Sequence, residues 1–322
     1  MAQRVRVVTA IGDSFRVMLR IYSHEDCLEH RVPEHHPERP ARLAFLLEHL
    51  ERTGFTQDYP VRLAPDIAET AVALAHDPAL VSQLSEQVPE TGLSSLDPDT
   101  WVSPKSLSAA QAAAGAVWQG VQDVTLGEAK RVFCAVRPPG HHAESGNAMG
   151  FCLLNSIAIA AMNALTLPEV QRVAILDFDV HHGNGTVEIC RSYPEILVCS
   201  SFQHPFYPGR YDDVVQPNIV NTPLAAGSSG DDFRRAISDT WWKAIEAHQP
   251  DIILISAGFD AHRADPLAQI NLEDSDFAWI TGEIVALANQ FSHGRIVSTL
   301  EGGYDLQALA DSALAHLRAL TP

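Results

Sequence analysis

Six short, almost purely apolar runs alternate with helical patterns along this chain, and this order restricts its fold more than any other feature of the sequence. A strand that is apolar on both faces needs cover on both faces, as in a parallel sheet between two layers of helices. We therefore predict an α/β fold, a single-domain three-layer sandwich with a mostly parallel central sheet. The predicted strands lie at residues 18–22, 132–136, 173–177, 196–200, 252–256 and 296–300.

The predicted helices follow amphipathic or alanine-rich patterns between these strands. The first has four leucines on one face and stops at Gly54. A longer, alanine-rich helix is expected from Pro104, with Ser103 as its N-cap. The other predicted helices complete the alternation. The set covers residues 38–53, 153–165, 231–248, 273–291 and 306–320, in addition to the alanine-rich helix.

Length and composition favour one large domain. The chain has 322 residues, 46% of them hydrophobic, which suffices for a sizeable core, and its composition shows no break that would divide it. Residues 18–322 are expected to form this domain. Residues 1–17 fall outside the strand and helix pattern and are interpreted as an N-terminal extension.

The charge and the cysteines restrict partners and location. A formal net charge of −18 argues against binding nucleic acid, whose phosphates would be repelled, and favours cationic ligands, although many soluble proteins are equally acidic. Five cysteines without CxxC spacing indicate reduced thiols. The first ten residues lack the apolar core of a secretory signal, and no run is long enough to cross a membrane. We expect a cytoplasmic protein that does not bind membranes.

The segment after the third strand carries the densest set of potential metal ligands. Asp177, Asp179 and His181 lie in this segment, and if it is extended Asp179 and His181 would point to the same face while Phe178 and Val180 pack inward. A carboxylate and an imidazole in this arrangement can hold one metal ion. The next residue, His182, is expected to face away and to support the loop through a hydrogen bond.

Three other strand ends carry side chains with acid, base or ligand chemistry. His141 and His142 follow the second strand, Asp260 follows the fifth, and Tyr304 follows the sixth. The carboxyl ends of parallel strands converge at one edge of a sheet, where ligands bind. Two carboxylates and an imidazole would leave coordination positions open, which is typical of a catalytic metal, and zinc is the predicted ion.

Seven motifs in order resemble those of the zinc-dependent histone deacetylase superfamily, which also includes bacterial deacetylase-like amidohydrolases and acetylpolyamine amidohydrolases. The resemblance runs from about residue 21 to 320 and implies the fold shared by arginases and deacetylases. The motifs are HPERP (36–40), RPPGHH (137–142), GFC (150–152), DFDVHHGNG (177–185), FYPG (206–209), GFD (258–260) and EGGY (301–304).

The resemblance implies a role for each residue of the reaction centre. Asp179, His181 and Asp260 would bind one zinc ion. Of the tandem histidines, the second would act as general base and later as general acid, and the first as its electrostatic partner. Tyr304 would donate a hydrogen bond to the oxyanion. In this sequence the base is His142 and its electrostatic partner is His141. Asp177 would accept a hydrogen bond from His141, and Asn184 would accept one from His142.

The resemblance also implies a substrate channel and a second ion. Phe151, preceded by Gly150, and Tyr207 would form the aromatic walls of a narrow acyl-lysine channel, with Asp99 as the rim carboxylate that holds substrate amides. A structural potassium ion would lie beneath the zinc. Its ligands would come from Asp177, Asp179, His181, Ser200 and Ser201, largely through backbone carbonyls.

These implications predict a hydrolase that removes acetyl or other acyl groups from acyl-lysine in proteins or peptides. An acetylated polyamine is the alternative substrate. Polyamine-selective relatives carry an acidic residue seven positions after the last zinc ligand, and Leu267 occupies that position here. A manganese ureohydrolase of the arginase type and a non-catalytic binding module of the same fold are two further hypotheses. The sequence does not determine the oligomeric state.

Overall fold

A computed structural model describes residues 17–321 of the chain. The predicted extension, residues 1–17, lies outside this range except for Val17, where the first strand begins. The described strands are β1 Val17–Ser23, β2 Val61–Leu63, β3 Ser94–Ser95, β4 Trp101–Val102, β5 Ala129–Cys134, β6 Val173–Asp177, β7 Ile196–Gln203, β8 Ile219–Leu224, β9 Ile252–Ala257 and β10 Ile296–Leu300.

Eight of these strands form one sheet in the order β2-β1-β5-β10-β9-β6-β7-β8. Every neighbouring pair in it is parallel. The two short strands β3 and β4 pair separately and antiparallel. The predicted α/β fold with a parallel central sheet is confirmed. All six predicted strands are present, and β6 and β10 have the predicted bounds.

Eleven helices connect and flank these strands in the part of the chain that the structure describes. Within residues 17–321, no helix is both long and apolar enough to cross a bilayer. The described helices are α1 Asp26–Glu29, α2 Ala41–Arg52, α3 Phe55–Asp58, α4 Glu69–Val72, α5 Pro78–Gln87, α6 Ser106–Leu126, α7 Ser156–Ala164, α8 Asn184–Cys190, α9 Gly230–His248, α10 Asp274–Phe291 and α11 Leu306–Ala319.

Helices cover the sheet on both faces. Val297 and Ser298 are consecutive in β10, so their side chains point to opposite faces. Val297 packs against Gly120 of α6, and Ser298 hydrogen-bonds to His316 of α11. Helices α6 and α7 form one layer, and α2, α11, α10 and α9 pack in series in the other. The central strands β6, β9 and β10 are therefore buried along their whole length.

The alanine-rich helix starts later than predicted. It begins at Ser106 after Lys105, and no side chain caps it. Ser103 is not the N-cap because its hydroxyl accepts a hydrogen bond from the Arg31 amide, at 2.9 Å. Its own amide donates to Ser106 Oγ, at 2.7 Å. The Ser103 hydroxyl, which the local sequence predicts as the helix cap, is thus bound by Arg31 from a distant loop.

A buried histidine joins α11, α10 and β10. The Thr281 hydroxyl donates to the Phe277 carbonyl and therefore accepts from His316 Nδ1, at 2.6 Å. His316 Nε2 then accepts from the Ser298 hydroxyl, at 2.9 Å. Burial lowers the pKa of His316 to about 3. The ring is therefore neutral in the folded protein at neutral pH.

Acidification should destabilise the fold through His316. An ordinary histidine takes up a proton near pH 6.5 in the unfolded chain, whereas the folded pKa is about 3. Stability from this group is complete above pH 6.5 and declines as the pH falls toward 3. The loss of unfolding free energy between about pH 7 and about pH 5.5 should be about 1 kcal/mol smaller in His316→Gln than in the wild type.

Urea unfolding at the two pH values measures this difference. His35→Gln, the same substitution at an exposed position, is the matched control and should keep the wild-type pH dependence. An equal pH dependence in His316→Gln and the wild type would contradict the prediction.

Candidate active site

Four neighbouring strands in the middle of the sheet, β5, β10, β9 and β6, end at the same edge because they are parallel. The loop after each strand carries residues predicted to do chemistry. His141 and His142 follow β5, Tyr304 follows β10, and Asp260 follows β9. Asp179 and His181 follow β6. Strand order, which the sequence does not state, places these loops side by side.

Asp179, His181 and Asp260 form a buried cluster at this edge. One potential ligand atom from each residue lies within 4.8 Å of the other two. His181 Nδ1 is 3.1 Å from Asp179 Oδ1 and 3.1 Å from Asp260 Oδ2. Two buried carboxylates beside one imidazole carry excess negative charge that a cation would neutralise. The residue set therefore fits a divalent metal ion of the zinc type.

The loop after β6 reaches this position by a different route than predicted. The strand ends at Asp177, and the chain bends at residues 179–181. Asp177 Oδ1 accepts from the Asp179 amide, at 3.1 Å, and Asp179 Oδ1 accepts from the His181 amide, at 2.9 Å. These side-chain turns, rather than strand alternation, direct the two residues to the same place. Phe178 is nevertheless buried, as predicted, against Phe259.

The backbone of two glycines, Gly258 and Gly302, lies against the carboxylates of the metal cluster. The Gly302 amide donates to Asp179 Oδ2, at 2.8 Å. A methyl group added at Gly302 would overlap carboxylate oxygens of both Asp260 and Asp179, and one added at Gly258 would overlap Asp179. The amide of Val180 donates to the remaining oxygen of Asp260, at 2.9 Å. The carboxylates are thus oriented by backbone donors, and the absence of side chains at Gly258 and Gly302 leaves the space that the carboxylates occupy.

The rings of His141 and His142 lie with their centroids 4.0 Å apart and their planes inclined by 43°. His141 Nδ1 lies 2.9 Å from Asp177 Oδ2. Burial alone would lower the pKa of His141, but the charges of Asp179 and Asp177 outweigh it and raise the pKa well above its usual range. His142 Nδ1 lies 2.7 Å from the neutral Asn184 Oδ1. Burial and the adjacent His141 hold the pKa of His142 well below its usual range.

Tyr304 lies on a loop that other side chains hold by its backbone. Its amide donates to Asp265 Oδ2, at 2.7 Å. The guanidinium of Arg42 covers its ring at 4.8 Å, and the same group donates to the Gly303 carbonyl, at 2.5 Å, and to the Glu301 carbonyl, at 2.6 Å. Burial and the charge of Asp260 raise the pKa of the Tyr304 phenol well above its usual range.

Several residues that support the site carry no functional role in the sequence-based prediction. Glu301 Oε2 accepts from the Gly140 amide, at 2.7 Å, and so joins the tyrosine loop to the histidine loop. Burial raises the pKa of Glu301 to about 7. Arg137 donates to Glu38 Oε2, at 2.7 Å, and Arg42 donates to Glu38 Oε1, at 3.0 Å. The motifs HPERP and RPPGHH contain two of these partners, but their pairing requires the fold.

Aromatic rings surround the histidines and the tyrosine. The Tyr207 ring meets His142 edge-on at 5.2 Å, and the Phe206 ring stacks on His181 at 5.4 Å. The Phe151 ring lies 5.9 Å from that of Tyr304. Gly150 has a φ of 57°, and an added methyl group there would overlap His142 and approach the Tyr207 hydroxyl. The predicted wall residues therefore border the reaction centre.

The remaining predicted residues lie around this centre. Asp99 shares a tight loop with Asp97, and burial together with this neighbour raises the pKa of Asp99 to about 6. Leu267 is half-buried, with its amide bound to Asp265 Oδ1, at 3.0 Å. Ser200 pairs with Asp177 across β7 and β6, and Ser201 follows it in β7. Both serines are buried.

His182 faces away from the cluster, as predicted. Its Nε2 lies 2.9 Å from Asn221 Oδ1. The ring packs edge-on against Phe202 with centroids 4.6 Å apart. Asn221 also donates to carbonyls of the preceding loop, including that of Asp212, at 3.0 Å. His182 therefore supports the surrounding loops and does not contribute to the metal cluster.

Known proteins are similar to this chain in sequence, and one solved structure is similar to it in fold. The family described as Histone deacetylase domain matches residues 36–320. An uncharacterized protein of Synechocystis sp. is 40% identical over 309 residues, which cover 93% of this chain and 98% of that protein. The histone deacetylase-like amidohydrolase of Pseudomonas aeruginosa is 32% identical over 293 residues, with 89% and 77% covered. The crystal structure of the HDA15 HD domain superposes with a TM-score of 0.88 at 32% identity, covering 95% of this chain and 88% of that one.

Gly302→Ala should weaken metal binding. The added methyl group would displace the Asp179 and Asp260 carboxylates from their present positions. A change next to metal ligands of this kind lowers affinity about 10- to 100-fold, measurable by Zn²⁺ titration against a competing chelator. Gly146→Ala is the control, because a methyl group there meets no atom within 4 Å. Wild-type Zn²⁺ affinity in a folded Gly302→Ala protein, verified by circular dichroism, would contradict the prediction.

Proposed function

Because this chain belongs to the histone deacetylase domain family, we propose that it is a zinc-dependent amidohydrolase that removes acetyl or other acyl groups from acyl-lysine in proteins or peptides. Membership establishes a hydrolase of this family, and the family implies acylated substrates. The observation that carries the proposal is the buried cluster of Asp179, His181 and Asp260 next to the tandem histidines. We assign the catalytic domain to residues 18–322.

Asp179, His181 and Asp260 would hold the zinc ion. When bound there, zinc would polarise the amide carbonyl and lower the pKa of a water molecule. His142 would remove the proton of that water at Nε2, because its Nδ1 is engaged by Asn184. The same nitrogen would then deliver the proton to the departing amine. The depressed pKa of His142 keeps the ring neutral and able to accept a proton.

His141 and Tyr304 would stabilise the charge that develops during the reaction. His141, paired with Asp177, has a raised pKa and would remain positively charged beside the reacting group. The Tyr304 phenol, with its raised pKa, remains protonated and can donate a hydrogen bond to the carbonyl oxygen. Arg42 and Asp265 keep the tyrosine loop in place for this role.

Phe151 and Tyr207 would enclose the methylene chain of the acyl-lysine and exclude water from the amide. Gly150 leaves room between the Tyr207 hydroxyl and His142. We assign Asp99 to the rim, where its carboxylate would accept hydrogen bonds from the amide groups of the substrate. The aromatic enclosure and this acceptor suit an amide at the end of a flexible cationic chain.

Two further assignments complete the proposal. A structural potassium ion would be held beneath the zinc by Asp177, Asp179, His181, Ser200 and Ser201, and the pairing of β6 with β7 supports it by placing Ser200 beside Asp177. A cytoplasmic location is supported by the five cysteines, all of which are free and buried. Both remain predictions.

Leu267 favours acyl-lysine over acetylated polyamine. An apolar side chain at this position offers no negative charge for a distal ammonium group. A preference for acetylated polyamines would therefore have to come from acidic residues on other loops. The formal net charge of −18 attracts either substrate and does not separate them. We therefore assign acyl-lysine as the principal substrate class.

Tyr304→Phe should lower turnover without removing zinc. The substitution deletes one hydroxyl donor to the oxyanion, a loss that costs about 10²- to 10³-fold in kcat. Tyr193→Phe is the control, because it removes the same hydroxyl from a more exposed tyrosine on the loop after α8. Deacetylation of an acetyl-lysine peptide and elemental analysis on the same samples give both quantities. Unchanged kcat at equal zinc content would refute the assigned role.

Metal content and substrate choice test the proposal as a whole. One zinc ion per chain and turnover of acyl-lysine peptides are expected. Two manganese ions per chain with cleavage of a guanidinium substrate would instead indicate a ureohydrolase. Zinc-loaded protein that turns over neither acyl-lysine peptides nor acetylated polyamines would indicate a binding module.

Leu267→Glu should shift preference toward acetylated polyamines. A carboxylate at this position would attract the distal ammonium, and a partly exposed ion pair changes the ratio of kcat/KM values by about fivefold. The ratio for an acetylated polyamine over an acetyl-lysine peptide is the measurement, with Leu267→Gln as the neutral control. Equal ratios in the two variants would show that Leu267 does not border the substrate.

A further inference from the structure

We propose that Glu144 is a positioning residue for the general base. Through the side-chain amide of Asn184, its carboxylate would fix which nitrogen of His142 carries the proton, and its ion pair with Arg210 would hold it in this orientation. The inference rests on the proposed function, because it gives His142 the role of base. It concerns residues for which the sequence predicts no role, since neither Glu144 nor Arg210 is among the expected site residues.

The contacts form an unbroken chain from the reaction centre to the surface. His142 Nδ1 lies 2.7 Å from Asn184 Oδ1. On the other side of the same amide, Asn184 Nδ2 donates to Glu144 Oε1, at 2.8 Å. The second oxygen of the carboxylate, Oε2, accepts from Arg210 Nη2, at 2.8 Å. Glu144 is buried, whereas Arg210 is exposed.

The carboxylate determines the orientation of the amide. An ionised carboxylate only accepts hydrogen bonds, so the group that faces Glu144 Oε1 must be the NH₂ of Asn184. A reversed amide would place its oxygen against Glu144 Oε1 and also near the His142 carbonyl, which Nδ2 contacts at 3.3 Å. Two acceptors facing each other in a buried site are strongly disfavoured. The amide oxygen is therefore directed toward His142.

The orientation of the amide in turn selects the tautomer of the base. Facing an oxygen, Nδ1 of a neutral His142 must carry the proton, which leaves the lone pair on Nε2, at the opposite edge of the ring. Facing an NH₂ group, Nδ1 would have to accept, and the proton would move to Nε2. Only the first tautomer can remove a proton from water at the reaction centre. An aspartate in place of Asn184 would need no such control, because both of its oxygens accept.

The backbone around Glu144 does not depend on its side chain. The Glu144 amide donates to the Asn147 carbonyl, at 2.9 Å, and the Glu144 carbonyl lies 3.0 Å from His76 Nδ1. Asn184 begins α8, whose following amides of Gly185 and Thr186 donate to the His141 carbonyl. Replacement of the carboxylate should therefore change the orientation of the amide and leave the loop in place.

Arg210 makes a sharp test possible. In Glu144→Gln one side-chain oxygen replaces two, and the charged Arg210 competes with Asn184 for it. We expect Arg210 to take the oxygen, so that the glutamine NH₂ faces Asn184, reverses its amide and moves the proton of His142 to Nε2. In the double variant Glu144→Gln/Arg210→Met, the glutamine oxygen is free to turn back to Asn184 and restore the original tautomer.

The experiment uses zinc-loaded protein with ¹⁵N-labelled histidine, in which the Nδ1 and Nε2 chemical shifts of His142 report the tautomer. Glu144→Gln should exchange the two shifts and lower kcat about 10²- to 10⁴-fold with little change in KM and no loss of zinc. The double variant should recover the wild-type shifts and most of kcat. Glu188→Gln is the matched control, because Glu188 binds the adjacent Ser145 and makes no bond to Asn184.

Two results would overturn the inference. One is an unchanged His142 tautomer in Glu144→Gln, whatever happens to kcat. The other is a double variant with the same tautomer and kcat as Glu144→Gln alone, which indicates a merely structural role. The tautomer measurement needs no turnover. A wild-type protein that hydrolyses neither acyl-lysine peptides nor acetylated polyamines would thus refute the proposed function, while the shifts would still test the effect of Glu144 on His142.

Discussion

The burial of two carboxylates beside one imidazole, where the middle strands of a parallel sheet end, is the constraint on which the other features of the site depend. Asp179 and Asp260 are fully enclosed and share the Nδ1 edge of His181. Such a group of charges is tolerated only where a cation and many hydrogen-bond donors compensate it. The backbone amides of Val180, His181 and Gly302 supply these donors. The loops of β6, β9 and β10 are therefore interdependent.

The same requirement for compensation explains a second group of buried charges, which consists of Arg42, Arg137 and Glu38. The glycine loop that presses on the metal cluster has carbonyls that need donors, and Arg42 provides them while covering Tyr304. A buried guanidinium needs an anion in turn, and Glu38 serves both Arg42 and Arg137. Arg137 lies on the histidine loop, so one carboxylate connects the loops after β5 and β10. The positions of the base and of the tyrosine are thereby coupled through buried ion pairs.

Local patterns in the sequence were sufficient for the features that depend on neighbouring residues. The apolar runs predict the central strands, and the position of Asp179, His181, Asp260 and Tyr304 after strand ends predicts that they share an edge. Features that depend on distant partners could not be predicted in this way. Ser103 is diverted from its helix by Arg31, and β8 is missed because Asn221 and Pro223 interrupt its apolar pattern. Glu38 and Arg137 are 99 positions apart, so no local signal pairs them.

Asn184 shows why a motif match alone does not specify how a site works. A carboxylate behind a histidine accepts the hydrogen bond of the ring N–H with either oxygen, so its effect is the same in both orientations. An amide has one accepting and one donating end, and its effect on His142 reverses when it turns. The presence of asparagine at position 184 therefore does not by itself determine the tautomer of His142. The group that binds the other end of the amide must also be known. Here that group is a buried carboxylate, and the orientation that it requires is the one that leaves Nε2 of His142 able to accept a proton.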